Sequence, residues 1–349
     1  MNCSRCNAEI LPTDKFCRSC GTPIPQAVPQ YAQYPRAAAP IAQVPKATVD
    51  YHEFVHPTDR QALDALKAVP GFDTICKWFM KTFSERTMRI SAMSSAVKLS
   101  EEQLPRVYKL LPPICKKLEI PIPDFYLQLD VNPNAWTSGD NEPQIIVTTG
   151  LLDIMTDEEV QAVIAHECGH IVCHHVLYHT IGNALLNGAL LIPGMNTLSI
   201  PLQLAFFHWL RCSEFSADRA ALAYTEDPDL VARVMMRLAG GTSRIAEEVN
   251  LELFLKQAEE YEEYTDVSKW NKTLEFLTLS TMDHPLTAVR ATEIEKWSKT
   301  PEYQSIITRL NAAKVTQSAA AAVPACPHCG KPIAKSWTFC QSCGKPLAN

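Results

Sequence analysis

Both ends of this 349-residue chain carry the same short cysteine pattern, which limits how either end can fold. In each copy two Cys-x2-Cys pairs are separated by ten residues; the quartets are Cys3, Cys6, Cys17 and Cys20, and Cys326, Cys329, Cys340 and Cys343. A module this small cannot bury enough apolar surface to fold alone, so a bound metal must stabilise it. Four thiolates on paired turns are typical ligands of one tetrahedral zinc ion.

The two quartets also share their surroundings, since Phe-Cys-x-Ser-Cys-Gly occurs at 16–21 and again at 339–344. We interpret both as zinc ribbons. Disulfides are the alternative for a chain with thirteen cysteines, but no apolar signal segment opens the sequence, which favours reduced thiols and a cytoplasmic location. The other five cysteines lack metal-ligand spacing and are predicted to be buried apolar side chains: Cys76, Cys115, Cys168, Cys173 and Cys212.

Composition separates further segments between the ribbons. Residues 23–47 are rich in Pro, Ala and Gln, residues 313–325 are rich in Ala, and both compositions are typical of linkers. The segment between them is long enough to bury a core of its own. The expected organisation is a ribbon at 1–22, a linker at 23–47, a folded domain at 48–312, a linker at 313–325 and a ribbon at 326–349.

The folded domain combines helical and strand patterns. Apolar spacing predicts helices near 57–69, 73–90, 101–119, 156–175, 211–225, 228–239, 244–262 and 286–298. The helix 156–175 starts with a capping-box signature, Thr156 followed by Glu159. Runs with β-branched residues predict strands at 125–131 and 143–149. A small sheet set against a mostly helical body predicts the α+β class.

Residues 166–170 read His-Glu-Cys-Gly-His. His166 and His170 are four residues apart, so both side chains leave one face of the predicted helix and can bind one metal ion. Glu167 lies beside the first histidine, where its carboxylate can take a proton from a water molecule at the metal. This pattern predicts a zinc site on the helix.

A second segment completes the ligand set. Glu214 and Asp218 are also four residues apart, on the predicted helix 211–225. Two histidines and one glutamate form a known catalytic zinc set that leaves one coordination position open. Asp218 can accept a hydrogen bond from the second ring nitrogen of a ligand histidine. The alternative is a buried helix whose two histidines are purely structural.

In their order and composition these segments resemble the zinc metallopeptidases that include the HtpX-like heat-shock proteases and the CaaX prenyl proteases, which are gluzincins with an HExxH motif. The resemblance covers about residues 120–295. Its motifs are Asn134-Ala135-Trp136, 145–152, 166–170, 214–218, His284-Pro285 and Arg290. Cys168 stands where Leu, Met or Ile is commoner, but this is not a ligand position, so the zinc chemistry is expected to be intact.

The resemblance implies a zinc endopeptidase in which Glu167 is the general base. It implies that His284 donates to the oxyanion of the tetrahedral intermediate, and that Arg290 orients nearby carboxylates or the substrate terminus. A surface-loop histidine is the alternative for His284. With one catalytic zinc and one structural zinc in each ribbon, three zinc ions are expected per chain.

The resemblance also implies an edge strand near the zinc that pairs with the backbone of an extended substrate. Either the predicted strand 143–149, which contains Val147, or the segment Asn134, Ala135 and Trp136 would have this role. An ordinary internal strand is the alternative.

The stretch 171–210 contains no Asp, Glu, Lys or Arg. In membrane members of the family, transmembrane helices lie in this interval. Here Pro193, Gly194 and Asn196 divide it into apolar runs shorter than the roughly 20 residues that cross a bilayer. A buried helical hairpin beside the site is therefore favoured, and membrane association through 176–210 is the alternative.

The charge of the chain indicates the kind of partner. A net charge of −6, from 32 basic and 38 acidic residues, excludes a general basic field for nucleic acid, and the ribbons hold few basic residues. The expected function is a zinc endopeptidase whose ribbons bind a protein partner, the substrate or each other. The alternative is a non-catalytic zinc-ribbon adaptor with a peptidase-like fold, although such a platform has no need of Glu167.

Overall fold

The computed structural model of the chain describes residues 1–11, 13–24, 45–82, 85–186, 200–241, 244–245, 248–266, 287–321, 325–333 and 337–347. Contacts divide the chain into two compact units. One is Thr48–Thr308, and the other combines the termini, Met1–Ala47 and Arg309–Asn349. The first unit holds the predicted catalytic residues, and the second holds both cysteine quartets.

The larger unit is mostly helical with one small sheet, which confirms the predicted α+β class. Its described helices are α1 (Tyr51–Phe54), α2 (Pro57–Lys67), α3 (Phe72–Thr82), α4 (Glu85–Ser95), α5 (Pro105–Tyr108), α6 (Leu111–Leu118), α7 (Thr149–Ile154), α8 (Asp157–Val172), α9 (Val176–Leu186), α10 (Ile200–Thr225), α11 (Pro228–Gly240), α12 (Leu251–Asp266) and α13 (Thr287–Ser298). The segment 101–119, predicted as one helix, forms α5 and α6 instead. Pro112 and Pro113 cannot donate hydrogen bonds to a preceding turn, so a new helix starts there.

The sheet has the strand order β1-β2-β4-β3, where β1 is Ala96–Lys98, β2 is Asp124–Gln128, β3 is Ala135–Ser138 and β4 is Gln144–Thr148. Strand β4 is parallel to β2 and antiparallel to β3, and all of its residues are buried. The prediction that 143–149 could be the edge strand is therefore wrong. Val147 is paired with Leu127 on one side and Ala135 on the other, so its backbone is not open to a substrate. The outer strand of the described sheet on this side is β3.

Helices α8 and α10 approach closely at Gly169. A Cβ atom there would lie 2.8 Å from the Cβ atom of Ala220 and 2.9 Å from the Cα atom of Ala217, so the two backbones can meet only if this residue lacks a side chain. The start of α8 is fixed by the predicted capping box. Thr156 accepts a hydrogen bond from the Glu159 amide, and Glu159 accepts one from the Thr156 amide. The close approach brings the two motif-bearing helix faces together.

Helices α9 and α10 pack with α2 and α3 around an apolar core. Buried side chains in this core include Leu66, Phe72, Phe79, Ile181, Phe206 and Trp209. The described parts of 171–210 thus bury side chains within the domain, as a buried hairpin requires. The predicted break at 193–196 lies outside the described residues. No helix in the described ranges has both the length and the apolar character that a membrane span needs.

In the smaller unit, each ribbon has two isolated β-bridges beside its cysteine pairs: Asn2–Glu9 and Phe16–Pro23, then Ala325–Pro332 and Phe339–Pro346.

The last helix, α14 (Pro301–Ala321), continues into the predicted linker 313–325 because alanine strongly favours a helix. Most of the predicted linker 23–47 lies outside the described residues, which resume at 45.

The two ribbons contact each other reciprocally. The Phe339 ring lies over Gly21 and the Phe16 ring over Gly344, where a Cβ atom would come within 2.8 Å and 2.9 Å of the respective rings. Both glycines also have positive φ angles, +71° and +70°. The Gln341 side chain donates from Nε2 to the Phe16 carbonyl at 2.9 Å. Because the phenylalanines and the glycines occupy equivalent places in the repeated motif, the contact is approximately two-fold.

Candidate active site

Three buried side chains converge between α8 and α10. The Nε2 atoms of His166 and His170 are 3.2 Å apart, and the Glu214 carboxylate oxygens lie 3.5 Å from His166 Nε2 and 3.4 Å from His170 Nε2. Zinc–ligand bonds of about 2.0–2.2 Å place the donors of a tetrahedral site roughly 3.3–3.6 Å apart. The spacing and the donor set, two imidazoles and one carboxylate, therefore fit one zinc ion.

Asp218 and Arg290 surround these three side chains. The Oδ1 atom of Asp218 lies 2.9 Å from Nδ1 of His166, the ring nitrogen that points away from the other two ligands. Arg290 on α13 donates to both oxygens of Asp218, from Nε at 2.7 Å and from Nη2 at 2.6 Å. Its Nη1 lies 2.9 Å from Glu214. One buried guanidinium thus holds two carboxylates, one of which orients His166 while the other is in the ligand set.

These contacts shift the pKa values of the buried groups. Burial alone would lower the pKa of His166, but its hydrogen bonds to Asp218 and Glu214 outweigh burial and raise the pKa to about 10. Burial would raise the pKa of Asp218, yet the charge of Arg290 keeps it below its usual value. Burial lowers the pKa of His170. A zinc ion at this site would compete with a proton for His166, so zinc affinity is expected to fall as the pH is lowered.

Glu167 is buried beside the ligand nitrogens. One of its carboxylate oxygens lies within 4.8 Å of ligand atoms of both His166 and His170. The Thr137 hydroxyl on β3 donates to Oε2 of Glu167 at 2.7 Å, which anchors the carboxylate. No sequence motif indicates Thr137, because only the pairing of the strands places β3 against α8.

An apolar cavity adjoins Glu167 and Arg290. Its apolar wall comes mostly from α8 and α11, through Val163, Val231, Val234, Met235 and Leu238. Asn134 and Ala135, two of the predicted substrate-binding residues, also line it. The Trp136 side chain instead packs against a cluster of buried residues on the sheet. An apolar cavity wall therefore lies directly beside the Glu167 carboxylate.

The remaining predicted residues are His284 and the five cysteines outside the quartets. His284 lies outside the described residues, so its role stays a prediction. The five cysteines without metal-ligand spacing are all buried. Burial raises the pKa of Cys168 and Cys173 well above the usual value, which leaves these thiols protonated and inert.

In both ribbons the four sulfur atoms are clustered. The Sγ–Sγ distances are 3.6 Å for the pairs Cys3–Cys20 and Cys6–Cys17. They are 3.8 Å and 3.6 Å for Cys326–Cys343 and Cys329–Cys340. Zinc–sulfur bonds of about 2.3 Å in a tetrahedron place the sulfurs about 3.8 Å apart. Each quartet thus has the spacing of a zinc site.

Hydrogen bonds favour the thiolate form of two cysteines in the N-terminal ribbon, Cys3 and Cys20. For Cys6 a backbone hydrogen bond near Ala8 acts in the same direction, but hydrogen bonds with the other cysteines outweigh it and raise the pKa to about 12. The Arg5 amide donates to Cys3 Sγ at 3.4 Å and lowers the pKa of that thiol. Hydrogen bonds from Thr22, first from its hydroxyl, lower the pKa of Cys20 to about 6. Thiolates at neutral pH bind zinc without first losing a proton.

Comparisons with known proteins agree with this geometry. The sequence profile of peptidase family M48 matches residues 100–298, more than half of the chain. The chain belongs to peptidase family M48. A zinc-ribbon domain profile matches residues 2–24 and 326–347 of this M48 peptidase, at the two cysteine quartets.

Relatives of the M48 peptidase are also proteases by name. It is 36% identical over 273 residues to plastoglobule-localized metallopeptidase 48, chloroplastic, of Arabidopsis thaliana, which covers 77% of this chain and 79% of the relative. It is 26% identical over 186 residues to a protease HtpX homologue of Ralstonia pickettii, with 46% and 64% of the two chains covered. No solved structure matches the chain.

The family and the relatives confirm that this M48 peptidase is a zinc-dependent metalloprotease, with a zinc-ribbon domain at each end. They also confirm the resemblance to HtpX-like proteases that the ordered motifs indicate.

Proposed function

We propose that this M48 peptidase cleaves internal peptide bonds of protein substrates with Glu167 as the general base. The placement of the Glu167 carboxylate beside the ligand nitrogens, held by Thr137, supports the proposal most strongly. Zinc held by His166, His170 and Glu214 would polarise the scissile carbonyl and lower the pKa of the attacking water. Glu167 accepts the proton of that water and passes it to the leaving amine.

Substrate binding is assigned to β3 and the segment before it. As one of the two outer strands of the described sheet, β3 can add an extended peptide through backbone hydrogen bonds. Thr137 on this strand contacts Glu167, so a peptide paired with β3 passes the general base. Asn134, Ala135 and Trp136 then contribute backbone contacts, and His284 is proposed as the oxyanion donor.

The rival function is a non-catalytic zinc-ribbon adaptor that uses the peptidase fold as a binding platform. The substitution Glu167→Gln separates the two functions. It stops turnover in a peptidase while leaving the zinc ligands in place, whereas the function of an adaptor survives it. Because the variant binds but does not cleave, the proteins that co-purify with it identify the substrate.

Metal analysis of the full chain is expected to find three zinc ions, one for each cysteine quartet and one for the histidine site. Elemental analysis after desalting measures this number. Replacing Cys17 and Cys20 by serine should lower it to two, and so should His170→Phe, because each removes ligands of one site. Two zinc ions in the parent protein would mean that the enzyme site holds no metal, and would favour the adaptor.

We further propose that the paired ribbons act together to bind a protein partner or the substrate. Their reciprocal Phe–Gly contact, with the Gln341 hydrogen bond, joins them into one module with a shared surface. The ribbons hold few basic residues, so a protein partner is favoured over nucleic acid. Salt-dependent retention of the protein on DNA would instead favour nucleic acid. We also propose a cytoplasmic location, because thiols that bind zinc must stay reduced; retention in salt-washed membranes would contradict it.

The ribbon pair can be tested by changing one ribbon and observing the other. Phe16→Ala removes the ring over Gly344 but leaves all eight thiolates, so zinc should stay bound while the contact opens. The Thr338 amide, which donates to the Arg18 carbonyl across the contact, should then exchange its hydrogen faster. Hydrogen-exchange mass spectrometry of the full chain measures this change.

The matched control for this experiment is Leu11→Ala, which shortens an exposed apolar side chain of the same ribbon. It should leave exchange at Thr338 unchanged. Unaltered exchange in Phe16→Ala as well would show that the ribbons do not pair in solution.

A further inference from the structure

A buried hydrogen-bond chain leads from His170 away from the zinc ligands. The Nδ1 atoms of His170 and His175 are 3.2 Å apart, and Nε2 of His175 lies 2.9 Å from Oδ2 of Asp59. All three side chains are buried. Neither Asp59 nor His175 belongs to the motifs that the sequence reveals.

The end of α8 places His175 against His170. The helix ends at Val172, and His174 takes a left-handed conformation with φ +58°. The His174 amide then donates to the Ile171 carbonyl at 3.1 Å, and the His175 amide donates to the His170 carbonyl at 2.9 Å. These two bonds form a Schellman motif, in which the residue after the left-handed one usually makes an apolar contact with the last turn. Here that contact is a hydrogen bond between imidazoles.

Asp59 is held from the opposite side. It lies in the first turn of α2, where the helix dipole favours a carboxylate. The Trp209 indole donates to Oδ1 at 3.0 Å, and the Ser216 hydroxyl donates to Oδ2 at 2.6 Å, both from α10. With His175 as a third donor, the carboxylate has a defined position and acts only as an acceptor.

The direction of each hydrogen bond follows from this carboxylate. Because Asp59 accepts, Nε2 of His175 carries the proton and its Nδ1 has a lone pair. That lone pair accepts from Nδ1–H of His170, which leaves the Nε2 lone pair of His170 facing His166 and Glu214. Neutral imidazole with Nε2 unprotonated is the form that binds a metal ion.

We propose that Asp59 and His175 are positioning residues that set the tautomer and ring orientation of the zinc ligand His170. Asp218 has the same relation to His166 through one direct hydrogen bond. The two ligand histidines are thus supported by carboxylates from different helices, one directly and one through a second imidazole. Such outer contacts commonly account for about 10–100-fold in metal affinity.

A second metal site is the competing explanation, because ligand atoms of His170, His175 and His179 lie within 4.8 Å of one another. Both ring nitrogens of His175 are already used, one towards His170 and one towards Asp59. Nε2 of His179 lies 2.7 Å from the Ser213 hydroxyl. These contacts favour a hydrogen-bonded chain over a metal cluster.

Zinc affinity of the full chain tests the proposal, which rests on the proposed zinc ligands. Chelator-buffered zinc titrations, followed by elemental analysis, measure the free zinc concentration at which the third equivalent is lost, while the ribbons retain theirs. His175→Phe keeps a ring but removes both nitrogens, and should raise that concentration about 10–100-fold. Asp59→Asn should also raise that concentration. The amide replaces one acceptor oxygen with an NH2 group, which would then face the Trp209 indole, the Ser216 hydroxyl or the His175 ring, and each of these is itself a donor.

The control is His208→Phe, which makes the same chemical change on an exposed histidine of α10 whose Nε2 contacts Cys212 Sγ and not this hydrogen-bond chain. Its zinc affinity should equal that of the parent. Unchanged affinity in His175→Phe, equal losses in His208→Phe, or a fourth zinc in the parent that His175→Phe abolishes would each overturn the proposal. If Asp59→Asn does not fold, His175→Phe and its control decide. A parent with two zinc ions would instead refute the proposed zinc site itself.

Discussion

Glu167→Gln is expected to lower kcat about 10²–10⁴-fold, the usual contribution of a general base. The amide has nearly the same shape as the carboxylate and can still accept from Thr137, so the local structure should persist. It cannot accept a proton from the attacking water, and the step that Glu167 performs is lost. Peptide hydrolysis and zinc content should be measured on the same preparation, because zinc must remain at the parent level.

A matched control for this substitution lies on the same helix. Glu158→Gln makes the same chemical change on an exposed residue in the first turn of α8. Its turnover should equal that of the parent. Parent-like cleavage by zinc-loaded Glu167→Gln would rule out Glu167 as the base.

Arg290→Met is expected to reduce the free energy of unfolding by about 3–5 kcal/mol, the typical cost of breaking a buried ion pair from one side. Arg290 is 4% exposed and contacts both Asp218 and Glu214. Without the guanidinium these two buried carboxylates lose their shared counter-charge. Urea unfolding with excess zinc in both proteins measures the difference.

Arg233→Met provides the control for Arg290→Met. Arg233 on α11 is 44% exposed and lies 3.9 Å from Asp227, a surface pair worth about 0–1 kcal/mol. If Arg290→Met does not fold, Arg290→Lys keeps the charge without the planar fork and should lose part of the stability. Equal urea midpoints for Arg290→Met and the parent would show that this cluster is not required for stability.

The edge-strand prediction illustrates where sequence patterns were insufficient. The run Ile145, Ile146 and Val147 has β-branched residues on both faces, a pattern of internal strands, and β4 is indeed internal. The resemblance alone could not decide whether this strand or the segment 134–136 lay at the edge. Strand order depends on which backbones pair. Strand β4 pairs directly with β2, and β3, which lies between them in sequence, pairs with the other side of β4 as an outer strand.

The cysteine quartets, the metallopeptidase family, the α+β class and the helix that carries His166 and His170 could all be derived from the sequence. The quartets and the helix rest on spacing along the chain, because residues four apart on a helix, or paired in Cys-x2-Cys turns, are neighbours in any fold. The family came from the resemblance of the ordered motifs, and the α+β class from the helix and strand patterns. The tertiary structure decided what surrounds them: Thr137 against Glu167, Asp59 behind His175, and one ribbon against the other. These contacts join residues far apart in sequence, and only the packing of their backbones, as at Gly169 between α8 and α10, brings such residues within hydrogen-bonding distance.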